Sequence, residues 1–192
     1  MRAWGNLAPP ARRFKLGFME IYLLRHGLAV ARGTPGFKND AQRPLTAKGK
    51  KQLQRVGRAM AALKLDFEVI LTSPFRRARE TAEIVATALK ARKKTRNRLK
   101  VCAALAADRN PTGLLRSLPA MTPPPQSVLL VGHEPFLSEL ISRLTSGGPD
   151  LAVDFPKAGL CKLNLDNWRA RPCARLAWLL TPQQMKKMGG PA

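Results

Sequence analysis

Short apolar segments alternate along this chain with segments of helical periodicity, and this alternation limits the folds that the chain can adopt. Strands are predicted at residues 20–25, 67–73 and 127–132, where continuous apolar runs end at polar or helix-breaking residues. Helices are predicted between them, from Thr46 to Leu65 and from Ser73 to about Ala91. Such an order indicates parallel βαβ units, with helices on both faces of one sheet.

A single domain is expected from residue 19 to residue 192, because this length can bury a sizeable core. Residues 1–18 are expected to form a disordered basic extension, since they lack the continuous apolar segment of a signal peptide. No apolar run approaches the length of a membrane span. The three cysteines match neither a disulfide framework nor a metal-ligand spacing, which favours a cytoplasmic location.

The chain is strongly basic, with 34 Lys and Arg residues against 12 Asp and Glu residues and a formal charge of +22. This charge attracts anionic substrates and polyanions, but it does not distinguish between them. The densest run, "KARKKTRNRLK" at residues 90–100, has little aromatic interleaving. It is interpreted as the solvated end of a helix and its loop, with a nucleic-acid patch as the alternative.

The chain has only two histidines, and each directly follows a predicted strand. His26 follows "IYLLR" and precedes Gly27, whereas His133 follows "VLLVG", so that Gly132 precedes it. Each ring alone would be an ordinary histidine at a strand end. The two together, each beside a glycine that permits a close approach of backbone or ligand, favour a functional site at one sheet edge.

A third predicted strand brings Ser73 and two arginines to the same edge, at the start of the next helix. A helix N-terminus favours anions, and a guanidinium group matches phosphate oxygens. Arg76 and Arg77 are about 100° apart on a helix, so that only one of them can face the site. Arg76 has Glu80 four residues later, which suits a solvent face, whereas Arg77 shares its row with Thr81. Arg77 is therefore the predicted site residue.

The predicted crevice thus contains two imidazoles, His26 and His133, and two guanidinium groups, Arg25 and Arg77. With no carboxylate or thiolate close in the pattern, this set is a poor metal site, and no metal or cofactor is predicted. It suits an anion much better. If the anion is a phosphoryl group, a neutral imidazole can attack phosphorus while the cations stabilise the charge on its oxygens.

Three motifs in this order, "LLRHG", "LTSPFRRARETA" and "VGHEP", resemble the histidine phosphatase superfamily, also called phosphoglycerate mutase-like. Within it, the chain is similar to the compact SixA-type phosphohistidine phosphatases over roughly residues 19–185. The resemblance implies an α/β three-layer sandwich with a mostly parallel central sheet. The tail segments "KAGLCKLNL" and "AWLLTP", which also suit a hairpin, resemble the family's closing strands and imply an antiparallel edge.

The resemblance implies that His26 is the nucleophile and is transiently phosphorylated, and that Arg25, Arg77 and His133 form the phosphate pocket. The segment "QRPLT" adds Arg43 to the residues expected to bind substrate, with an ordinary loop cation as the alternative. Gly27 and Ser73, which lie at the same edge, are also expected to contact substrate.

Larger members of the family use an acidic residue to protonate an alkoxide leaving group. Here "LAADRNPTGLL" offers Asp108, which is either this acid or a surface-loop aspartate. An N-linked phosphoryl group leaves more easily, so a missing strong acid would fit a phosphohistidine substrate. The chain also has no room for the inserted cap of the mutases, which implies an open groove for a phosphorylated protein.

The sequence therefore predicts a metal-independent phosphatase that removes phosphate from phosphohistidine in a protein, with a histidine-phosphotransfer protein as the expected partner. One alternative keeps this chemistry but acts on small phosphoesters, nucleotides or polyphosphate, for which the positive charge is suggestive. A second alternative, from another class, is a basic nucleic-acid-binding module without turnover.

Overall fold

The computed structural model describes residues 18–37, 39–89, 99–168 and 172–188. Within these residues, six strands form one sheet, with the bounds Met19–Arg25 (β1), Val69–Thr72 (β2), Leu99–Val101 (β3), Ser127–Gly132 (β4), Leu160–Leu165 (β5) and Ala174–Leu180 (β6). The same residues contain the α-helices Ala47–Ala62 (α1), Arg76–Ala88 (α2), Thr112–Ser117 (α3), Phe136–Thr145 (α4) and Pro182–Met188 (α5). Short 3-10 helices span Asp40–Gln42 and Ala103–Leu105.

The strands lie in the order β3-β2-β4-β1-β5-β6 across the sheet. β1 pairs in parallel with β4, and β2 pairs in parallel with both β4 and β3. β5 runs antiparallel to β1 and to β6, and β5 and β6 form the expected pair in the tail. The predicted mostly parallel sheet with an antiparallel edge is therefore confirmed.

Both faces of the sheet are covered by helices, which completes the predicted three-layer sandwich. On one face, Tyr22 and Leu24 of β1 belong to the core that α1, α2 and α5 cover. On the other face, Ile21 and Leu23 belong to the core that α3 and α4 cover. Successive side chains of a strand point to opposite faces of the sheet. Because both faces are covered, every residue in the middle of β1 is buried. This explains why its sequence is continuously apolar.

Helix α1 begins where the sequence predicts, because the Thr46 side chain accepts a hydrogen bond from the backbone N–H of Gly49. It buries an apolar row that includes Leu53, Val56 and Met60. The helix ends at Ala62 rather than at Leu65, since Lys64 has a φ of 56°, in the left-handed region.

The predicted start of α2 is wrong by two residues, because the cap is Phe75 and not Ser73. Ser73 does not cap this helix, which begins at Arg76 after Phe75 and has no side-chain cap. The backbone N–H of Ser73 still donates to the carbonyl of Val131 in β4, so Ser73 continues the line of the strand. Its hydroxyl accepts from the N–H of Phe75 and contacts His133 instead.

The expected extension at residues 1–18 lies, except for Phe18, outside the described residues. Residues 90–98 of the basic run, including the predicted end of α2 near residue 91, lie outside them as well. Among the helices that are described, none has the length and apolar character needed to cross a membrane.

Candidate active site

The sheet topology brings the two histidines together. Strands β1 and β4 are neighbours, with Arg25 paired to Gly132 in their register, and the N–H of His26 donates to the carbonyl of Gly132 at 3.0 Å. The ring centroids of His26 and His133 are 5.0 Å apart. Both rings are buried. Because the two rings are so close, a single ligand at this edge can contact both of them.

The hydrogen bonds of His26 define its tautomer. Its Nδ1 lies 2.7 Å from the carbonyl oxygen of Gly27, and since a carbonyl only accepts, Nδ1 carries the proton. Its Nε2 accepts a hydrogen bond from Nε of Arg77 at 3.2 Å and therefore presents a lone pair. Burial, reinforced by the charges of Arg77 and Arg25, lowers the pKa of His26 to about 3. His26 is thus a neutral imidazole at neutral pH.

Only one ring nitrogen of His133, Nε2, has a hydrogen-bond partner among the described residues. Its Nε2 lies 2.8 Å from the hydroxyl oxygen of Ser73, and its ring lies 5.1 Å from that of Phe75. Its Nδ1 is buried and has no hydrogen-bond partner among the described residues. Burial, together with the neighbouring His26 and Arg77, lowers the pKa of His133 to about 3. A bound phosphate dianion would favour its protonated form, because an opposite charge raises the pKa of an imidazole.

The two arginines at the start of α2 face in different directions. Arg77 is only 3% exposed, and it reaches His26 with Nε and the backbone carbonyl of Asp40 with NH1, at 2.8 Å. Arg76 is exposed and pairs with Glu80 at 2.8 Å, one turn further along the helix. The structure therefore brings Arg77, and not Arg76, to the histidines.

Asp40, a carboxylate that is not among the predicted site residues, joins three guanidinium groups. Its Oδ2 lies 3.0 Å from NH2 of Arg77, and its Oδ1 lies 2.7 Å from NH2 of Arg43 and 3.0 Å from Nε of Arg32. Desolvation acts to raise its pKa, but the hydrogen bonds from Arg43 and the charge of Arg77 outweigh it and lower the pKa of Asp40 to about 2. Asp40 is therefore an anion that holds Arg77 and Arg43 together.

The sequence offered one signal for Asp40. It is one of 12 acidic residues in a very basic chain, and it lies three residues before Arg43 of the "QRPLT" segment. A loop carboxylate among so many cations is a candidate partner for an arginine. Its spacing alone could not show which arginines it would meet.

Arg25 lies at the end of β1, directly before His26. Its NH1 donates to the carbonyl of Phe155 at 2.7 Å, which anchors the guanidinium group. Its Nε is buried and has no partner within the described residues. A buried, unpaired donor beside two buried imidazoles is a place where an anion can be bound.

Gly27 links His26 to the helices that pack against it. Its N–H donates to the hydroxyl of Thr81 at 3.2 Å, and its carbonyl accepts from His26. A Cβ at this position would lie 2.7 Å from a methyl carbon of Leu53, so α1 packs directly against the glycine. In this structure Gly27 is part of the frame that orients His26.

An open groove of about 500 Å³ lies beside the arginine cluster, lined by Arg32, Gly33, Phe37, Asp40, Arg43, Phe75, Ala107 and Asp108. Asp108 is exposed on the wall of this groove. It makes no hydrogen bond or ion pair with the residues that the structure describes, so nothing there holds it in one orientation.

Comparisons with known proteins show which family the chain resembles. A family model described as the histidine phosphatase superfamily (branch 1) matches residues 21–104. A protein of Picosynechococcus sp. named as uncharacterized is 36% identical over 150 residues, which cover 76% of this chain and 84% of that protein. The phosphohistidine phosphatase SixA of Escherichia coli is 27% identical over 167 residues, which cover 81% of this chain and 95% of SixA.

The fold is shared as well. The solved structure of the protein histidine phosphatase SixA complexed with tungstate superimposes with a TM-score of 0.73 at 24% identity, covering 86% of this chain and 98% of that chain. The sequence matches and the shared fold lead to one conclusion: the chain belongs to the histidine phosphatase superfamily and is a phosphatase.

Proposed function

We propose that the protein removes phosphate from phosphohistidine in a phosphorylated protein, and that His26 carries the phosphoryl group during the reaction. The observation that supports this most is the state of His26. Its Nδ1 proton is fixed on the Gly27 carbonyl, which leaves a lone pair on Nε2 beside a buried guanidinium group. A neutral imidazole with an oriented lone pair is a nucleophile for phosphorus.

In the proposed first step, Nε2 of His26 forms a bond to phosphorus while the bond between phosphorus and the substrate nitrogen breaks. The phosphorylated substrate ring is already protonated on its other nitrogen, so it leaves with the electron pair of that bond as a neutral imidazole. No acid on the enzyme is then required. In the second step, the oxygen of water forms a bond to phosphorus while the bond between phosphorus and Nε2 of His26 breaks. Nε2 recovers its electron pair, and the two protons of water leave on the inorganic phosphate.

The remaining site residues have roles in binding and charge stabilisation in this proposal. Arg77, Arg25 and Arg43 bind the phosphoryl oxygens and stabilise the charge that develops on them. His133, protonated when the dianion is bound, donates to an oxygen. Ser73 acts through its contact with His133 Nε2.

A protein substrate is favoured by the open approach to the site. The described helices cover the two faces of the sheet, and the groove beside Arg43 and Asp40 opens to solvent. A phosphohistidine side chain on a protein surface can enter such a groove without a lid having to open. The similarity to SixA, which is named a phosphohistidine phosphatase, supports the same substrate.

The cytoplasmic location expected from the sequence is part of this proposal, and cell fractionation tests it.

The proposal is tested with a histidine-phosphotransfer domain that carries radiolabelled phosphate on its histidine. Wild-type protein is expected to release the label as inorganic phosphate, whereas the His26→Ala variant is not. Rapid quenching should trap a phosphorylated enzyme that is stable in alkali and labile in acid, as a phosphoramidate is. Label release by His26→Ala at the wild-type rate would refute the proposal.

Hydrolysis of a small phosphoester is a second candidate, and the position of Asp108 on the groove wall favours it. An alkoxide leaving group needs a proton, which a carboxylic acid at this place could supply. A panel of phosphohistidine, nucleotides, sugar phosphates and polyphosphate separates the two candidates. Preference for an ester, combined with a large loss of its turnover in Asp108→Asn, would favour the second.

A further inference from the structure

The exposed face of α1 carries a row of cations, which we call the α1 stripe and define as Lys48, Lys51, Arg55 and Arg58. Their spacing of three, four and three residues places all four side chains on one side of the helix. All four are exposed, and none forms an ion pair with the residues that the structure describes. α1 itself contains no acidic residue.

This arrangement works against the stability of the helix. Like charges on neighbouring turns of one helix face repel one another and destabilise the helix. The stripe contains three such pairs, Lys48 with Lys51, Lys51 with Arg55 and Arg55 with Arg58. Lys48 also lies in the first turn, where the helix dipole favours anions rather than cations. An anionic partner along this face would offset each of these unfavourable terms.

The α1 stripe starts beside the candidate active site. Thr46, which caps α1, donates through its N–H and its hydroxyl to the carbonyl of Leu28, two residues after His26. Lys50 in the same part of α1 lies 3.8 Å from Glu80, which also binds Arg76 at the start of α2. The first turns of α1 and α2 therefore lie side by side at the edge of the sheet where the histidines are found.

From this edge the α1 stripe continues along α1 toward the C-terminal end of the helix. Arg58 lies ten positions after Lys48, so the row is about 15 Å long at 1.5 Å per residue. A row of four positive charges of this length is complementary to a row of acidic side chains on a protein surface. When the phosphohistidine of a substrate protein occupies the pocket, the substrate surface around that residue would lie over the first turn of α1.

We propose that the α1 stripe is a docking surface for an acidic segment of the phosphorylated protein substrate; this rests on the proposed function and adds the chemistry of its partner. Continuity with the pocket favours a protein substrate over a nucleic acid, because the row begins where a bound substrate would lie. The stripe gives the substrate a second point of attachment and speeds its encounter with the pocket.

The test uses two synthetic peptides, each with one phosphohistidine, that differ only in carrying glutamates or glutamines at the same flanking positions. A length of about 20 residues allows the extended chain to reach along the stripe at roughly 3.3 Å per residue. Wild-type protein is expected to hydrolyse the glutamate peptide with a kcat/KM about tenfold higher, and this preference should fall as salt rises. Free phosphohistidine should show a smaller salt dependence than the glutamate peptide.

The stripe variant replaces Lys48, Lys51, Arg55 and Arg58 with glutamine. It should lose the preference for the glutamate peptide while it hydrolyses free phosphohistidine at the wild-type rate. A matched variant removes the same number of exposed cations elsewhere, at Lys100, Arg116, Lys186 and Lys187. It should keep the preference, which separates a local surface from the general charge of the chain.

The outcomes distinguish this inference from the proposed function. Equal hydrolysis of the two peptides by wild-type protein, or equal losses in the two variants, would overturn the docking surface and leave the phosphatase proposal intact. If neither peptide were hydrolysed, fluorescence anisotropy with the unphosphorylated peptides would still test docking, and equal affinities would overturn it. Tighter binding of duplex DNA than of the glutamate peptide, lost in the stripe variant, would assign the surface to nucleic acid instead.

Discussion

Nε of Arg77 donates a hydrogen bond to Nε2 of His26 across 3.2 Å, so the lone pair proposed for attack on phosphorus is occupied in this structure. A bound phosphoryl group would have to take the place of this contact, with one of its oxygens accepting from Arg77. The far end of the guanidinium group is fixed on Asp40. Substrate can therefore replace the Nε contact while Arg77 stays anchored at its other end.

The difference between Arg77 and Arg76 provides the first prediction. Arg77→Ala removes the buried guanidinium group beside His26 and should lower kcat/KM by about 10²-fold or more, as expected for loss of a preorganised charge. Arg76→Ala removes a surface pair with Glu80 and should change kcat/KM less than about twofold. Steady-state kinetics with phosphohistidine measures both. Equal losses would show that α2 does not aim Arg77 alone at the phosphoryl group.

Asp40 provides the second prediction. Asp40→Asn keeps the shape of the side chain but removes the charge that holds Arg77 and Arg43 together. We expect kcat to fall by about tenfold, because positioned groups lose much of their effect when their orientation is relaxed. Asp108→Asn, in the same groove, is the control and should leave phosphohistidine hydrolysis nearly unchanged. An unaffected kcat in Asp40→Asn would mean that the arginines orient themselves without it.

The parts of the fold that could be predicted are those with a strong hydrophobic pattern. β1 is buried on both faces, so its apolar run stands out from the polar segments around it. α5 has no such pattern, since only Met185 among its seven residues is buried, and no helix is predicted there from the sequence. The start of α2 was misplaced because Ser73 has the chemistry of a cap but is used by His133 instead.

The same distinction applies to the site. His26 and His133 could be placed together because each directly follows a strand, and the topology of parallel strands brings such residues to one edge. Asp40 could not, since it lies in the connection between β1 and α1, whose path no periodicity determines. Its position depends on contacts with Arg77, Arg43 and Arg32 that exist only in the folded chain.

The two histidines provide a prediction on pH. Burial lowers the pKa of both His26 and His133 to about 3, so the folded protein takes up fewer protons than the unfolded chain between pH 3 and pH 6.5. Stability should therefore fall as pH falls from 6.5 toward 3, with no contribution from these rings above pH 6.5. Between pH 7.5 and pH 5, each ring should lower the free energy of unfolding by about 2 kcal/mol.

Urea unfolding in phosphate-free buffer measures this change, and NMR of the two imidazole rings checks its cause. Their carbon-bound proton shifts should stay constant between pH 7.5 and pH 5 in the folded protein. Phosphate should move the titration of His133 upward, because the dianion favours the charged ring. A ring that titrates near pH 6.5 without phosphate would contradict the neutral state on which the proposed attack depends.

Gly49 provides the last prediction, which concerns the support of the site. A Cβ at Gly49 would lie 2.2 Å from the carbonyl oxygen of Leu28, a backbone atom that accepts from Thr46 and that cannot move without disturbing the segment after His26. Gly49→Ala should therefore destabilise the protein by about 2 kcal/mol or more, although alanine is the better helix former. The displaced first turn of α1 should lower kcat as well.

Gly113→Ala is the matched control, because Gly113 also lies in a helix but its added Cβ would meet only a side-chain carbon of Ala104 at 3.9 Å. This variant should be stabilised by about 0.4–1 kcal/mol, through the smaller conformational freedom of the unfolded chain. Chemical denaturation of both variants gives the comparison. Equal stabilities would mean that α1 can shift away from Leu28 at little cost, and the close packing of α1 against the His26 segment would then not be what holds the nucleophile in place.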